Sequence, residues 1–484
     1  MHYALITKTL GVLLMIFSFT MAPPALLAWY YEDGGELPFA SAFAVIFLLG
    51  LALWLPVWNR RGELRTRDGF LIVTLFWAVL GSIGSLPFIL NPDLHISVTD
   101  AVFESISGIT TTGGTILTGL DTLPPSLLFY RQQLQWLGGM GIIVLAIAIL
   151  PLLGVGGMQL YRAEMPGPMK ESKLTPRIAE TAKTLWFIYV LFTVLCALFY
   201  RWAGMTWFDA VGHSFSTVAT GGFSTHDDSM AYFDSTLINM IGATFIFLGS
   251  VSFALHFAVF RGRSIGEYVR DPEFRSFVTL LMGYVLVLTI GLSAYNVYQG
   301  NPSATLSHSI FQALSFSSST GFVSTDTSLW PSFLPYFLVL TSFIGGCAGS
   351  TSGGIKVIRV ALFFRQSFRE LKQLIYPSAV FSVQFGSRAV SSTVMQAVWG
   401  FIGIYIMLAV LFTMLFMATG LDFGTAFAST AASLNNLGQG IDGVADGYSH
   451  LSNTAKWMMC LGMLLGRLEI FTLLVLFTPL FWRQ

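Results

Sequence analysis

Charge is what this chain has least of. Asp, Glu, Lys and Arg make up 10% of its 484 residues, where ordinary globular domains carry about 25%. With 54% of the residues hydrophobic, too little polarity is left to coat a water-soluble fold, so the chain reads as an integral membrane protein. Acidic and basic residues number 25 each, which leaves no basic footprint for nucleic acid. Cysteine is scarce: Cys196, Cys347 and Cys460 lie far apart in apolar runs, excluding a disulfide framework and a thiolate metal site. No Walker motif or dinucleotide fingerprint in a βαβ setting is present, so no bound nucleotide or other cofactor is expected on this chain. Paired carboxylates and metal spacings are also missing from the apolar runs, which argues against a membrane-embedded enzyme. His213, His226, His256 and His308 are scattered and read as structural or lining residues.

Apolar runs are what the chain has in plenty. About 20 apolar residues cross a bilayer, and ten stretches are long enough: about 4–30, 37–58, 69–90, 125–153, 178–202, 232–260, 274–298, 331–361, 392–420 and 453–482. No clean cleavage pattern follows the first, which reads as a span rather than a signal peptide. With the N-terminus inside, 21 of the 25 Lys and Arg residues fall on inner segments, as the positive-inside rule favours. Arg131, Arg201 and Lys456 fall outside, and Arg467 falls within the last span. An even number of spans puts both termini in the cytoplasm. Outer segments are acidic. This suits a cation-concentrating mouth or simply complements the inner bias.

Between the spans a motif recurs. Ser214–Asp227 (SFSTVATGGFSTHD) and Ser315–Asp326 (SFSSSTGFVSTD) share SFS, a Gly-Phe turn and a polar exit. Ser107–Thr115 (SGITTTGGT) is an earlier copy and Ser429–Gly440 (STAASLNNLGQG) a weaker fourth. Their glycines Gly113, Gly222, Gly321 and Gly438 are 109, 99 and 117 residues apart. Each copy is too short to span and sits between two spans, so it reads as a re-entrant loop, tolerable only where it lines a cavity. The expected architecture is an all-α membrane protein. Residues 1–68 form a hairpin, followed by parallel helix–pore-loop–helix repeats over 69–160, 161–265, 266–375 and 376–484, arranged around a pseudo-fourfold pore. Four such turns can present rings of backbone carbonyls that replace an ion's hydration shell. The plainer reading of each glycine alone is a helix C-cap.

These copies resemble the pore loops of the Trk/Ktr/HKT superfamily of potassium transporters, and the resemblance covers essentially the whole chain. Gln135–Gly141 (QWLGGMG), Tyr161–Pro168 (YRAEMPGP), Ile344–Lys356 (IGGCAGSTSGGIK) and Gly466–Thr472 (GRLEIFT) carry it as well. It implies a potassium filter built from Thr110, Thr111, Thr112 and Gly113; Ala219, Thr220, Gly221 and Gly222; Ser318, Ser319, Thr320 and Gly321; and Asn435, Asn436, Leu437 and Gly438. The fourth set departs from the Thr/Ser pattern. The resemblance further implies uptake across a bacterial inner membrane, a homodimer, and a separate cytosolic nucleotide-binding ring subunit of the TrkA type.

The run Gly345, Gly346, Gly349, Ser350, Gly353, Gly354 interrupts the eighth span. Glycines there cost about 1 kcal/mol each against Ala in a helix. The resemblance makes this run an intramembrane gate; small-residue helix packing is the alternative. Arg467, expensive inside a bilayer, reads as a cation barrier under the filter or as a buried structural partner. Glu469, two residues on, points elsewhere on a helix. Ion-coupled symport is the competing function, and it would need titratable residues along the path, of which the spans show few.

Overall fold

A computed structural model of the chain describes residues 1–60, 62, 65–144, 174–386 and 388–483. The chain begins with α1 (Tyr3–Ser18) and α2 (Ala22–Tyr31), which together make one span, and returns through α3 (Glu36–Trp54). Gly11 and Gly50 face each other across this hairpin; a Cβ on either would sit 2.7–2.8 Å from the other's carbonyl oxygen. Small residues of this kind let membrane helices approach closely.

Four units follow, each with an entering helix, a short pore helix and an exit. The first comprises α4 (Thr66–Ile83) with α5 (Leu86–Leu90), pore helix α6 (Val98–Ile109) and α7 (Pro125–Val144). In the second are α8 (Leu174–Trp202), pore helix α9 (Trp207–Val218), α10 (Thr236–Ser250) and α11 (Phe253–Gly262). The linking α12 (Gly266–Arg270) leads to the third, with α13 (Pro272–Ala294), pore helix α14 (Pro302–Ser317), α15 (Phe333–Ser342) and α16 (Val357–Ile375). The fourth has α17 (Ser392–Ala418), pore helix α18 (Phe423–Leu434), α19 (Asn453–Arg467), α20 (Phe471–Leu474) and α21 (Pro479–Trp482). A two-residue ladder, β1 (Gln384–Phe385) with β2 (Arg388–Ala389), is the one strand pairing among the described residues of an otherwise helical chain.

Each pore helix starts on a side-chain cap. Ser97, Thr206, Asn301 and Asp422 accept from backbone N–H groups two or three residues on, which satisfies donors that a helix start leaves orphaned. The exit spans are the surprise. The expected span over 232–260 is two helices meeting at 92° around Val251–Ser252, and that over 453–482 bends by 107° after Arg467. The stretch 331–361 holds only ten helical residues, Phe333–Ser342, before its glycine run. Thus, among the described residues, six helices are long and apolar enough to cross a membrane, or eight if each bent pair counts as one span. The end of the fourth expected span, the inner loop Gly154–Pro176 up to residue 173, and the motif Tyr161–Pro168 lie outside the described residues.

The breaks are mutually satisfied. Cys347 N and Thr351 N donate to Ser250 O and Gly249 O at 2.9 and 3.2 Å, and Phe253 N donates to Gly349 O at 3.1 Å. The glycine run therefore fills the gap in the second unit's exit span with the hydrogen bonds that a continuous helix would have made. Apolar side chains such as Phe187, Met282, Leu286, Met407 and Met414 are exposed on the outside of the bundle, while buried Ser and Thr crowd its centre.

Neighbouring units are laced together at the end where the pore helices begin. Gly119 N donates to Asp227 Oδ1 at 3.0 Å between units one and two. Ala231 N donates to Val323 O at 3.0 Å between two and three, and Tyr336 Oη to Asp442 Oδ2 at 2.5 Å between three and four. Lys456 Nζ meets Asp100 Oδ1 at 2.6 Å between four and one. The first of these joints also holds His226, paired through Nδ1 with Asp121 and lying 3.3 Å through Nε2 from Asp209. Burial alone would lower the His226 pKa, but hydrogen bonds to Asp209 and Asp121 carry it above its ordinary value. Burial opposes charge on Asp209 too; His226, Thr206 and Thr225 outweigh it and hold the carboxyl low.

A raised imidazole stabilises the fold fully below its unfolded pKa of about 6.5 and loses that contribution as pH rises through the folded value. The stability gap between wild type and His226→Gln should therefore be widest near pH 5–6, at about 1 kcal/mol, and should shrink in alkali. Melting of the purified protein across this range checks it; a gap that grows in alkali would refute the charged bridge.

Candidate ion pathway

The four loops close into a ring. A Cβ built on Gly113 collides with Gly221 O, on Gly222 with Thr320 O, on Gly321 with Leu437 O, and on Gly438 with Thr112 O. Each glycine thus abuts the next copy's carbonyl in cyclic order, one to two to three to four and back to one. These glycines have φ of 85°, 79°, 81° and 73°, and the residues two before them, Thr111, Thr220, Ser319 and Asn436, have φ of 53°, 51°, 57° and 53°. Left- and right-handed residues therefore alternate, which turns successive N–H groups to one side of the chain.

That side faces the pore helix. Thr112 N and Gly113 N both donate to Ser107 O, Thr320 N and Gly321 N to Ser315 O, and Leu437 N and Gly438 N to Ala432 O; Gly221 N donates to Ser216 O. The carbonyls are turned the other way. Those of Thr111, Thr112, Thr220, Ser319, Thr320 and Asn436 accept no hydrogen bond from the described residues, yet all six residues are 0–1% exposed. Buried carbonyls without partners are uncommon. Four helix C-termini also end here, at Ile109, Val218, Ser317 and Leu434, each equivalent to roughly half a negative charge. A desolvated cation answers both features.

The copies differ in detail. Gly221 O is already taken by Gln135 Nε2 at 2.6 Å, and Gln135 Oε1 accepts from Phe223 N at 3.0 Å. Leu437 O accepts from Gln439 N at 2.9 Å. In the fourth copy, Asn436 Nδ2 reaches Thr112 Oγ1 at 3.0 Å and Met463 O at 2.9 Å. The departure from Thr/Ser there is the seam that joins the last copy to the first. Asn435 points away from the ring, its Nδ2 donating to Ser342 Oγ at 2.8 Å.

Sequence reasoning missed the support behind the first copy. Arg131, placed by topology in an outer segment, is 0% exposed. Its Nε meets Glu104 Oε1 at 2.7 Å, Nη1 donates to Ser224 O at 3.1 Å, and the guanidinium lies 4.3 Å from the Phe223 ring. Glu104 also takes Ile116 N at 3.0 Å and Thr115 Oγ1 at 2.9 Å. Glu104 stands nine residues before its glycine. His213 and Gln312 hold the same register, and they too reach past the glycine, to Ser224 Oγ at 2.9 Å and Ser324 Oγ at 3.4 Å. A long polar side chain at that register is the signal that could have found this pin. The titratable inventory is accordingly larger than the spans suggested: Glu104, Arg131, Glu273, Lys356, Arg359 and Lys456 are all buried.

The glycine run lies directly beneath the ring. Its neck is closed by Gly345 N to Ile355 O at 2.8 Å and Ile355 N to Phe343 O at 3.0 Å. Thr351 Oγ1 sits 3.1 Å from Thr220 Oγ1, Val218 O and Gly249 O, and Gly353 N donates to Ser319 Oγ at 2.5 Å. A Cβ on Gly353 would strike Asn435 O, and one on Gly345 would strike Gly353 O. Arg467 grips the same segment, Nη1 to Thr351 O at 3.0 Å, with the Trp77 ring 5.6 Å away. Its Nε and Nη2 are buried with no partner among the described residues. Lys356 and Arg359, counted among inner-loop charges from the sequence, are buried here. Lys356 Nζ holds Ser352 O, and Arg359 Nη2 pairs with Glu469 Oε2 at 2.6 Å. The break after Arg467 makes this possible. Glu469 has φ 50°, and Ile470, at φ 56° and ψ −59°, closes a tight γ-turn through Phe471 N to Glu469 O at 2.5 Å. For a β-branched residue that backbone is strained.

The chain is similar along its whole length to known transport proteins. A family model described as "TrkH: Cation transport protein" matches residues 37–483. The Trk system potassium uptake protein TrkH of Salmonella typhimurium is 54% identical over 484 residues, covering all of both chains, and that of Escherichia coli K12 is 53% identical over the same span. The Trk system potassium uptake protein TrkG of Escherichia coli K12 is 40% identical, over all of this chain and 99% of its own. The crystal structure of the potassium transporter TrkH from Vibrio parahaemolyticus matches with a TM-score of 0.93 at 50% identity, over the full length of both chains. These are transport proteins rather than enzymes, and this chain belongs to the TrkH family of cation transport proteins.

Proposed function

We propose that the protein is a channel-like pore for potassium uptake across the bacterial cytoplasmic membrane. The observation that carries this is the closed ring of buried, unpartnered carbonyls at four converging helix C-termini. Carbonyl oxygens can stand in for water around a cation, and the filter residues are those of the four copies, 110–113, 219–222, 318–321 and 435–438. Because Gly221 and Leu437 spend their carbonyls on the protein, the ring is less uniform than one made of four identical chains, and its discrimination is correspondingly weaker. The membrane potential supplies the driving force, about 2.3 kcal/mol per elementary charge per 100 mV.

Both termini are cytoplasmic in this reading, so the laced end of the bundle with its acidic loops faces out. The repeats run over 69–160, 161–265, 266–375 and 376–484. Gly345–Gly354 is the gate and Arg467 its electrostatic latch. The relatives are named as parts of a Trk system, which supports a separate regulatory partner: a TrkA-type cytosolic ring that binds the nucleotide this chain does not. A homodimer in the inner membrane completes the reading. Coupled symport is disfavoured because the buried titratable groups are engaged in holding loops rather than facing the ring. Current far above about 10³ ions per second in single-channel recording would exclude it.

Gly222→Ser or Gly321→Ser should push a side chain into the neighbouring carbonyl and lower the potassium-over-sodium flux ratio about tenfold or more in proteoliposomes; unchanged ratios in two well-expressed variants would remove these glycines from the filter. Arg131→Ala leaves Glu104 buried and alone and should cost about 3–5 kcal/mol of stability. Arg131→Lys keeps the charge but cannot span the same partners, so it should fold and still lose selectivity, measured per folded protein. For the gate, Arg467→Ala should raise potassium flux about ten- to a hundredfold with selectivity intact. Equal flux in wild type, Arg467→Ala and Arg467→Lys would remove the latch.

A further inference from the structure

Away from the pore, α13 and α16 enclose a cleft of about 460 Å³. Arg275, Ser276 and Leu280 line one side, and Ala361, Phe364 and Arg365 the other. Two guanidiniums thus share one cleft, and neither has a carboxylate within 4.0 Å among the described residues. Asp271, one turn before Arg275, is engaged in capping α13 through Phe274 N at 2.7 Å. Arg365 spends one N–H on Gln384 O at 3.0 Å and lies 4.6 Å over the Phe385 ring, and most of its five donors have no other partner among the described residues. Burial, and then the charge of Arg275, hold the Arg365 guanidinium below its ordinary pKa, as like charges sharing a site do. An anion would relieve them both.

The surroundings identify the anion's source. α13 is a membrane span beginning at Pro272, so the cleft opens at a bilayer boundary. α16 carries Arg365, Arg369 and Lys372 on one side, while Phe364, Phe368, Leu371 and Leu374 are 52–78% exposed. A basic helix with exposed Phe and Leu lies in the plane of a membrane surface, and basic pockets between spans on the cytoplasmic side take anionic lipid head groups. Both walls of the cleft also touch the glycine run. Glu273, in the first turn of α13, accepts from Ala348 N at 2.7 Å, and Val357 N, at the start of α16, donates to Gly346 O at 3.2 Å.

We propose that this cleft binds one anionic phospholipid of the inner leaflet, its phosphodiester between Arg275 and Arg365 and an acyl chain along Leu280 and Phe364, and that the lipid braces Gly345–Gly354 in its closed position. The choice of leaflet and the effect on the gate rest on the function proposed above; the cleft and its ligand do not. Native mass spectrometry of the purified full-length protein tests binding, with phosphatidylglycerol and phosphatidylcholine of matched chains as probes. Wild type is expected to retain phosphatidylglycerol preferentially. Arg275→Gln and Arg365→Gln should each weaken retention about fivefold and the pair about thirtyfold, with Arg365→Lys recovering most of it and melting temperatures unchanged.

Equal retention by wild type and the double variant would overturn the site. Displacement by excess glycerophosphoglycerol, which has the phosphodiester but no acyl chains, would overturn the lipid and leave a simple phosphate site. A changed dimer fraction with unchanged lipid retention would instead assign the cleft to a second copy of the chain. In proteoliposomes with phosphatidylglycerol confined to one leaflet, basal potassium flux should fall when it is on the inner side, and the double variant should not respond. A response from the outer leaflet alone would overturn the orientation while the retention result stands.

Discussion

A backbone inside a bilayer has no water to bond with, so every N–H and C=O must find a partner within the protein. The central ring is what this rule leaves over. Alternating handedness sends the N–H groups of each loop onto the last turn of its own pore helix, where a single carbonyl such as Ser107 O or Ser315 O takes two donors. The opposite carbonyls are thereby stranded on the inside. The same accounting explains the broken exit spans: a glycine run can occupy the middle of the membrane because Gly249, Ser250 and Phe253 offer it the bonds their own helix gave up.

The four copies are alike in backbone and unlike in how they are held. Copy one leans on a buried ion pair, copy two on a histidine and a glutamine from α7, copy three on a glutamine, and copy four on Tyr448, whose hydroxyl donates to Gly438 O at 2.8 Å. Fourfold symmetry is therefore a property of the ring and not of its scaffold. The scaffold is free to differ because each support touches the loops from behind.

Much of this was legible in the residues. The glycines were visible because a closed ring leaves no room for a Cβ, so the same residue type had to recur at each corner. The interrupting glycine run showed for a similar reason: Gly345 and Gly353 each sit against a backbone carbonyl. What stayed hidden was pairing across distance. Arg131 reads as an outer-loop charge until the fold brings it to Glu104, and Lys356 and Arg359 read as topology until a kink delivers Glu469. That kink was unreadable because Glu469 and Ile470 carry no glycine to announce their positive φ. The bends in the exit spans were hidden as well, since an apolar run has the same composition whether or not its helix is continuous.

The seam between the last copy and the first has a consequence in time. Asn436 and Thr112, which stitch it, are 324 residues apart in the chain. At a synthesis rate of about 5–20 residues per second, the first loop waits in the membrane for roughly a quarter to one minute before its neighbour on the open side exists. Through that interval its unpartnered carbonyls face an unfinished circle. The chain must be threaded almost to its end before the ring can close, so a truncated chain would keep its apolar helices and lack the closed circle of carbonyls.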